Sequence, residues 1–158
     1  MRRWNPRRLW RRLREDFRSA QDVRLSMQLA LFIWRLPHWL DRQPLPTLLD
    51  ELRAAPRPAA ADLRSSVERI DRLSRPWFAT LFRARNTCYV RSLMFCRFAD
   101  ACGRELRVHF LVEPRRAPDG RVRGHAWVSA GAEFCEAPEP GLLARAQRFY
   151  THPPGDDG

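Results

Sequence analysis

The sequence contains no lysine, so all 29 of its basic residues are arginines. With 18 acidic residues against them, the 158-residue chain has a formal net charge of +11. Guanidinium groups make planar, bidentate contacts with carboxylates and phosphates, so such a surface would attract nucleic acid, anionic lipid or an acidic peptide. Coding bias explains the same excess equally well, because arginine, alanine and proline are abundant together. The charge therefore points to classes of partner without choosing among them.

Paired cysteines and long apolar runs are also missing. The four cysteines include no Cys-x-x-Cys pair, which argues against a structural zinc site. No secretory signal precedes them, so we expect reduced thiols in a cytoplasm. The longest apolar run, at 25–34, is too short to span a bilayer. We expect a cytoplasmic protein without a metal or other cofactor.

The chain is long enough for one domain with an N-terminal extension. Hydrophobic residues make up 44% of it and charged residues 30%, which is typical of a globular protein. The sequence pattern divides the chain into four parts. These are a basic amphipathic helix at 1–24, a helical region with a proline-rich linker at 25–84, a core domain at 85–150 and a flexible tail at 151–158.

Apolar residues with helical spacing, such as Trp10, Leu13 and Phe17, recur among the arginines of 1–24. A basic helix of this kind can lie on an anionic membrane surface or bind an acidic partner. Docking of the stripe on the protein's own core is the more common use. Peripheral membrane contact through this helix is therefore the alternative to a purely cytoplasmic location, and we expect no specific nucleic-acid partner.

Proline punctuates the helices expected in the first half of the chain. Pro37 and Pro76 should each mark the end of a helix, and Asp62 or Ser65 should cap the third one. The expected helices lie at 23–36, 47–54 and 62–75.

The pattern changes after residue 85. Thr87 or Asn86 should cap a helix at 88–102, and Gly103 should follow its end. Alternating segments at 105–113 and 121–130, and a third that starts at 133, then predict strands joined by tight turns. A helix followed by antiparallel strands indicates an α+β fold.

Two residues of this second half carry chemistry. Cys88 begins the predicted helix, where free N–H groups and the helix dipole stabilise a thiolate. His125 lies in a predicted strand, and an imidazole beside a thiol can accept its proton and return it later. The simpler interpretation is a buried thiol at a helix end and a histidine bonded within the core. Cys96, Cys102 and Cys135 are expected to serve packing alone.

A carboxylate next to the imidazole would fix its tautomer. If Ala130-Gly131 form a two-residue loop, Ser129 pairs with Ala132 and His125 lies opposite Glu136. A slip of one residue would turn Glu136 away from the site. Glu133 and Asp119 are then the alternative acids.

The motif Thr87-Cys88-x-x-Arg91-Ser92-Leu93, a glycine turn and a later strand Gly124-His125-Ala126-Trp127-Val128 resemble one known family. This family comprises the transglutaminase-like cysteine peptidases of bacterial lasso-peptide biosynthesis, which are the stand-alone B-type proteins. The similarity covers about residues 25–140. The resemblance implies an α+β papain- or transglutaminase-like core, in which a catalytic helix packs on a small antiparallel sheet after a helical N-terminal region. Two positions depart from the family pattern: Ser129 stands where glutamate is common, and the third acid would be Glu136 instead of aspartate.

The resemblance also implies an activity: removal of the leader from a ribosomally made precursor peptide. Cys88 would be the nucleophile and His125 the general base and acid, with Glu136 as third member, and Arg91 and Trp127 of the two motifs would bind substrate. The partners would be the precursor peptide, a separate leader-binding protein and an ATP-dependent cyclase. A non-catalytic peptide- or partner-binding relative, a basic membrane- or nucleic-acid-associated protein acting through 1–24, and an acyltransferase or transglutaminase on the same fold are the alternatives.

Overall fold

A computed structural model describes residues 17–85, 87–112, 124–136 and 147–154 of the chain. Within them, helices precede a small sheet, and a 3₁₀ turn at Arg83–Arg85 leads into the last helix. The helices are α1 Ala20–Arg42, α2 Leu45–Ala54, α3 Leu63–Ala79 and α4 Cys88–Phe98. The strands are β1 Leu106–Val112, β2 Gly124–Ala130, β3 Glu133–Phe134 and β4 Gln147–His152. Most of the helix predicted at 1–24 lies outside the described residues.

Helices α1 and α3 both continue through a proline, so the predicted ends at Pro37 and Pro76 were wrong. A proline inside a helix removes one backbone hydrogen bond and costs about 3 kcal/mol. Apolar residues beyond each proline offset this cost, because Trp39 packs against the core after Pro37 and Phe78 is buried after Pro76. Full burial of one large apolar side chain contributes roughly 1.5–3 kcal/mol, so packing of the residues beyond each proline is of the same order as the cost of the proline.

The helix starts follow their capping residues. The carboxylate of Asp62 accepts a hydrogen bond from the N–H of Ser65 at 2.7 Å, so Asp62 is the cap of α3. Thr87 caps α4, as one of the two predicted candidates, and Asn86 lies outside the described residues.

Helix α4 ends at Phe98, four residues before the predicted end at Cys102. Ala99 already has extended backbone angles, and Asp100 accepts the N–H of Cys102 with its side chain at 2.9 Å. Aspartate competes in this way with helical hydrogen bonds. Cys102 adopts a φ of +53° and is exposed, so the expectation that it serves packing is also wrong.

The sheet has the order β3-β2-β1-β4, and each neighbouring pair is antiparallel. Val108 and Phe110 of β1 lie beside Val128 and Ala126 of β2, and all four belong to the one core that the helices share. Helix α4 packs on this face, since paired residues of an antiparallel sheet point to the same side. The observed layers confirm the α+β prediction.

The turn between β2 and β3 differs from the predicted one. Ser129 pairs with Phe134 and Ala130 with Glu133, so the loop is Gly131-Ala132. Gly131 has a φ of +62°, which suits the first central position of a two-residue hairpin turn. The pairing ends at Phe134, and Glu136 therefore does not lie opposite His125.

Strand β4 was not predicted. It pairs with β1 and includes Thr151 and His152, which had been assigned to a flexible tail at 151–158. His152 is buried, so the first part of that tail belongs to the folded core.

Candidate active site

Cys88 is the first residue of α4, at the point where the helix leaves its N-terminal N–H groups without helical partners. The Thr87 hydroxyl accepts one of them, from Val90 at 3.3 Å. Helix geometry provides no acceptor for the N–H groups of Cys88 and Tyr89. The half-buried thiol thus lies beside backbone donors that can stabilise negative charge on sulfur or on a reacting oxygen.

The sulfur of Cys88 lies 3.8 Å from the carbonyl oxygen of Gly124, the first residue of β2. His125 follows directly and is half-buried. The contact joins residues 36 positions apart in the sequence, so it is made by the packing of α4 on the sheet. The two predicted chemical residues are therefore brought to neighbouring positions.

Cys88 and His125 both line a cleft of about 500 Å³. Its remaining walls come from α2, α4 and three strands. They are Leu45, Pro46, Tyr89, Phe110, Leu111, Gly124, Ala126 and Tyr150. Apart from the two reactive groups and the phenol oxygens, these walls are apolar.

The cleft crosses the end of the strands. Phe110 and Ala126 face the helices, whereas Leu111 and His125, which pair with each other, alternate to the other side. Residues from both faces of the sheet line the cleft, so it extends around the end of the sheet where β2 begins. This is where a histidine at the start of β2 and a thiol at the start of α4 share one opening.

Three aromatic rings form a row along the cleft. The rings of Tyr89 and Phe110 are 5.7 Å apart, and those of Phe110 and Tyr150 are stacked at 6.0 Å. Burial raises the pKa of Tyr89, so its phenol stays protonated at neutral pH. The row gives the cleft a rigid apolar wall suited to apolar groups of a ligand.

Tyr150 is held in place by a hydrogen-bonded chain that the sequence analysis missed. The Tyr150 hydroxyl lies 2.9 Å from Nδ1 of His152, whose Nε2 lies 2.8 Å from the Asp50 carboxylate. Since a carboxylate only accepts, Nε2 donates a hydrogen bond to Asp50, and the other ring nitrogen, Nδ1, bonds to the phenol. Burial, and next the charge of Asp50, raise the pKa of Tyr150. The adjacent β-forming residues Phe149, Tyr150 and Thr151 are the sequence feature that could have indicated β4.

Glu136 and Arg91 form a polar cluster away from this cleft. Arg91 donates to Glu136 through Nε at 2.9 Å and lies 3.0 Å from Asp71 through Nη2. Burial of Arg91 opposes its charge, but the hydrogen bonds and charges of Glu136 and Asp71 outweigh it and raise the arginine's pKa. The structure therefore pairs Glu136 with Arg91 and not with His125, and neither residue lines the cleft.

The two alternative acids are not brought to His125 either. Glu133 is exposed at the far end of β2, where Arg104 donates to it at 3.1 Å. Asp119 lies outside the described residues. The described part of the chain thus supplies the thiol and the imidazole and leaves the third member unassigned.

Trp127 packs on the sheet face that β2 turns away from α4. Its ring is stacked on that of His109 at 5.3 Å, and it is buried against Leu111. His109 also lies 2.8 Å from the hydroxyl of Ser129 through Nε2. Trp127 does not line the cleft, so the structure does not bring it to the position expected for direct contact with substrate. It packs instead behind Leu111, which is a cleft residue.

Two of the other cysteines are packed as expected. Burial raises the pKa of Cys96 to about 11. Burial, with a smaller effect of Cys96, raises that of Cys135 to about 12. Both thiols therefore stay protonated and unreactive at neutral pH.

Among the described residues, no cluster of three or more histidine, cysteine or acidic side chains could hold a metal ion. None of the helices in the same ranges combines the length and apolar character required to cross a bilayer.

A family profile described as the transglutaminase-like superfamily matches residues 23–149. The match covers well over half of the sequence, and the chain belongs to this superfamily. The architecture agrees with it, since helices precede a core in which Cys88 begins the helix that packs on a small antiparallel sheet. The superfamily includes cysteine peptidases and acyltransferases. The searches of curated proteins and of solved structures gave no match.

Proposed function

We propose that the protein is a cysteine peptidase that removes the leader from a lasso-precursor peptide, with Cys88 as nucleophile and His125 as general base and acid. The observation that carries the proposal is the approach of the Cys88 sulfur to the residue that precedes His125, at 3.8 Å, in a cleft that both residues line. A thiol at a helix start beside an imidazole is the arrangement that nucleophilic catalysis needs.

The reaction would proceed in two steps. His125 accepts the proton of Cys88, and the thiolate attacks the carbonyl carbon of the scissile peptide bond. The N–H groups at the start of α4 would stabilise the oxyanion. His125 returns the proton to the leaving amine as the carbon–nitrogen bond breaks, and a water molecule then hydrolyses the thioester to a carboxylic acid and the free thiol.

The walls of the cleft support a peptide substrate with apolar side chains near the cleaved bond. The rings of Tyr89, Phe110 and Tyr150 offer a contact area that is rigid and loses little entropy on binding. Arg91 and Trp127 would act from outside the cleft, by bracing α4 and the sheet, instead of touching the substrate.

The partners follow from the same proposal. A separate leader-binding protein would present the precursor, and an ATP-dependent cyclase would use the released core peptide. The site would then work in the cytoplasm, with residues 1–24 as the segment that contacts an anionic membrane surface or a partner.

Mass spectrometry of a candidate precursor, incubated with the full-length protein and its leader-binding partner, tests the proposal. A single cleavage between leader and core, lost in Cys88→Ala and kept in Cys102→Ala, is the expected result. Cys102 is the matched control because it is an exposed thiol far from the cleft. Cleavage by both variants at the parental rate would show that the activity does not come from Cys88.

Iodoacetamide labelling separates an enzyme from a non-catalytic binding relative. An activated thiol at a helix start reacts faster than an ordinary exposed one. We expect Cys88 to be modified before Cys102, although Cys88 is less exposed. Equal or slower labelling of Cys88 would favour the non-catalytic alternative.

Acyl transfer to an amine is the second candidate, favoured by the apolar walls of the cleft and by the acyltransferases of the superfamily. The same thioester would then be attacked by an amine in place of water. Addition of a primary amine to the cleavage assay distinguishes the two: a peptidase yields mainly the acid, and a transferase yields mainly the amide.

A further inference from the structure

A second groove, of about 410 Å³, lies at the opposite end of α4 from Cys88. Four arginines line it, Arg24, Arg57, Arg69 and Arg97, and no acidic residue is among the described residues that line it. Arg97 follows Cys88 by nine positions on α4, which separates the two ends by about 14 Å along the helix axis. The groove is therefore distinct from the cleft of the proposed active site.

Two of these arginines, Arg57 and Arg97, are held side by side. Each donates a hydrogen bond to the backbone carbonyl of the residue that precedes the other. Arg57 donates to the carbonyl oxygen of Cys96, directly before Arg97, at 3.3 Å. Arg97 donates to the carbonyl oxygen of Pro56, directly before Arg57, at 2.8 Å. This reciprocal pair fixes two like charges close together. Burial, followed by the charge of Arg57, lowers the pKa of Arg97, as expected for cations held near each other.

The described acids nearby are already engaged. Asp22 lies 2.8 Å from Arg69 and 3.6 Å from Arg72. Asp100 accepts the backbone N–H groups of Ala60 and Cys102 at 3.0 and 2.9 Å. Among the residues that the structure describes, none accepts a hydrogen bond from the buried Nε atom of Arg57. The pair thus carries positive charge that the described part of the chain does not neutralise.

We propose that this groove binds the carboxylates of an acidic peptide segment, with Arg57 and Arg97 as the main contacts. Guanidinium groups form bidentate bonds with carboxylates, which would relieve the repulsion between the two arginines. The groove also offers what a peptide chain needs and a free anion does not. Gln21 and Gln28 can bond backbone amides, and Phe98 gives an apolar surface.

Isothermal titration of the full-length protein with a capped peptide of alternating glutamate and glycine tests the proposal. The same peptide with glutamine in place of glutamate is the ligand control. Arg57→Gln and Arg97→Gln should each weaken binding by about tenfold, as loss of a charged contact does. Arg64→Gln removes the same charge from an exposed ion pair with Glu68 and should change the affinity less than twofold.

Equal weakening by all three substitutions would reduce the effect to general attraction by net charge and overturn the proposal. Inorganic phosphate that binds more tightly than the acidic peptide would overturn the assignment to a peptide. If Arg57→Gln does not fold, Arg57→Lys keeps the charge and loses the bidentate geometry, so it should still weaken binding. Parental affinity in that lysine variant would contradict the proposal.

Cys88→Ala should bind the acidic peptide with unchanged affinity. This control keeps the groove separate from the proposed peptidase activity, because either can fail while the other holds. Loss of acidic-peptide binding in Cys88→Ala would contradict the proposal that the groove and the cleft are independent sites.

Discussion

The two ends of helix α4 differ in the side chains that surround them. Its start lies in an apolar cleft with a thiol and an imidazole, whereas its last turn carries a cation beside a second cation from the linker. The start uses the free N–H groups that every helix has. A single cation near a helix C-terminus is favourable, because it faces the negative end of the helix dipole. The last turn of α4 instead places Arg97 beside Arg57, and the repulsion between the two cations lowers stability unless an anion is bound. One rigid helix thus holds a thiol in an apolar cleft and an arginine in a cationic groove, about 14 Å apart.

The largest effect should come from removal of the thiol at the start of the helix. Cys88→Ala should lower the rate of precursor cleavage by about a thousandfold or more, since no other thiol of the described residues lines the cleft. Single-turnover kinetics followed by mass spectrometry measures the loss. The same variant with parental activity would move the chemistry away from this end of α4.

Substitution of the imidazole tests the second half of the same site. His125→Asn should lower kcat by about 10²–10⁴-fold, because the thiol loses its base and the leaving amine its acid. Steady-state kinetics of precursor cleavage measures the loss. A variant that keeps the parental kcat would contradict the role of His125.

The charged end can be tested through stability. Asp22 is buried, and burial opposes its charge, but the Arg18 N–H and the bonds and charges of Arg69 and Arg72 outweigh burial and lower its pKa. Asp22→Asn removes the buried carboxylate that Arg69 and Arg72 share and should cost about 3–5 kcal/mol of unfolding free energy. Urea denaturation at pH 7 measures the loss.

The sign of the pH dependence follows from the lowered pKa of Asp22. Its stabilising contribution is present above the unfolded value, near the ordinary 3.8, and is lost as the pH falls through the lower folded value. The difference in stability between the parent and Asp22→Asn should therefore be constant at neutral pH and shrink below about pH 3.8. A difference that grows on acidification would contradict this account.

A smaller effect is expected at the wall of the apolar cleft. Asp50→Asn removes the charged acceptor of His152 and loosens the bond to Tyr150. We expect KM for the precursor to rise by about fivefold, the value of one hydrogen bond of about 1 kcal/mol, with little change in kcat. Asp41→Asn, an exposed carboxylate on α1, is the matched control and should leave KM unchanged.

The smallest effect should come from Glu136, the partner of Arg91 on α4. Glu136→Gln keeps a hydrogen bond to Arg91 and lies outside the cleft, so kcat/KM should change less than twofold. A fall of a hundredfold or more would return Glu136 to the catalytic site and require the chain around it to move.

The sequence predicted those parts of the fold that depend on local patterns. Cys88 begins a helix because Thr87 caps it, and β2 carries His125 because its residues alternate, and both positions were read correctly. The helix ends were misread at Pro37 and Pro76, where tertiary packing outweighs the local cost of proline. Such packing involves residues that are distant in sequence and leaves no local pattern.

The third acid shows the same limit. Its assignment depended on a two-residue loop, and moving that loop by one position separates Glu136 from His125. Tyr150 and its partners were missed because the chain from Asp50 to His152 joins residues 102 positions apart. A contact between residues so far apart in the sequence is seen only in the folded structure.

That long connection has a consequence for the making of the protein. The cleft around Cys88 borrows one wall from β4, near the last part of the sequence, and one from α2, near the first. A ribosome delivers α2 and the thiol many seconds before β4, at about 5–20 residues per second. A half-translated copy therefore exposes its sulfur before the cleft around it is complete, and the last wall forms only when β4 joins the sheet and brings Tyr150 into place.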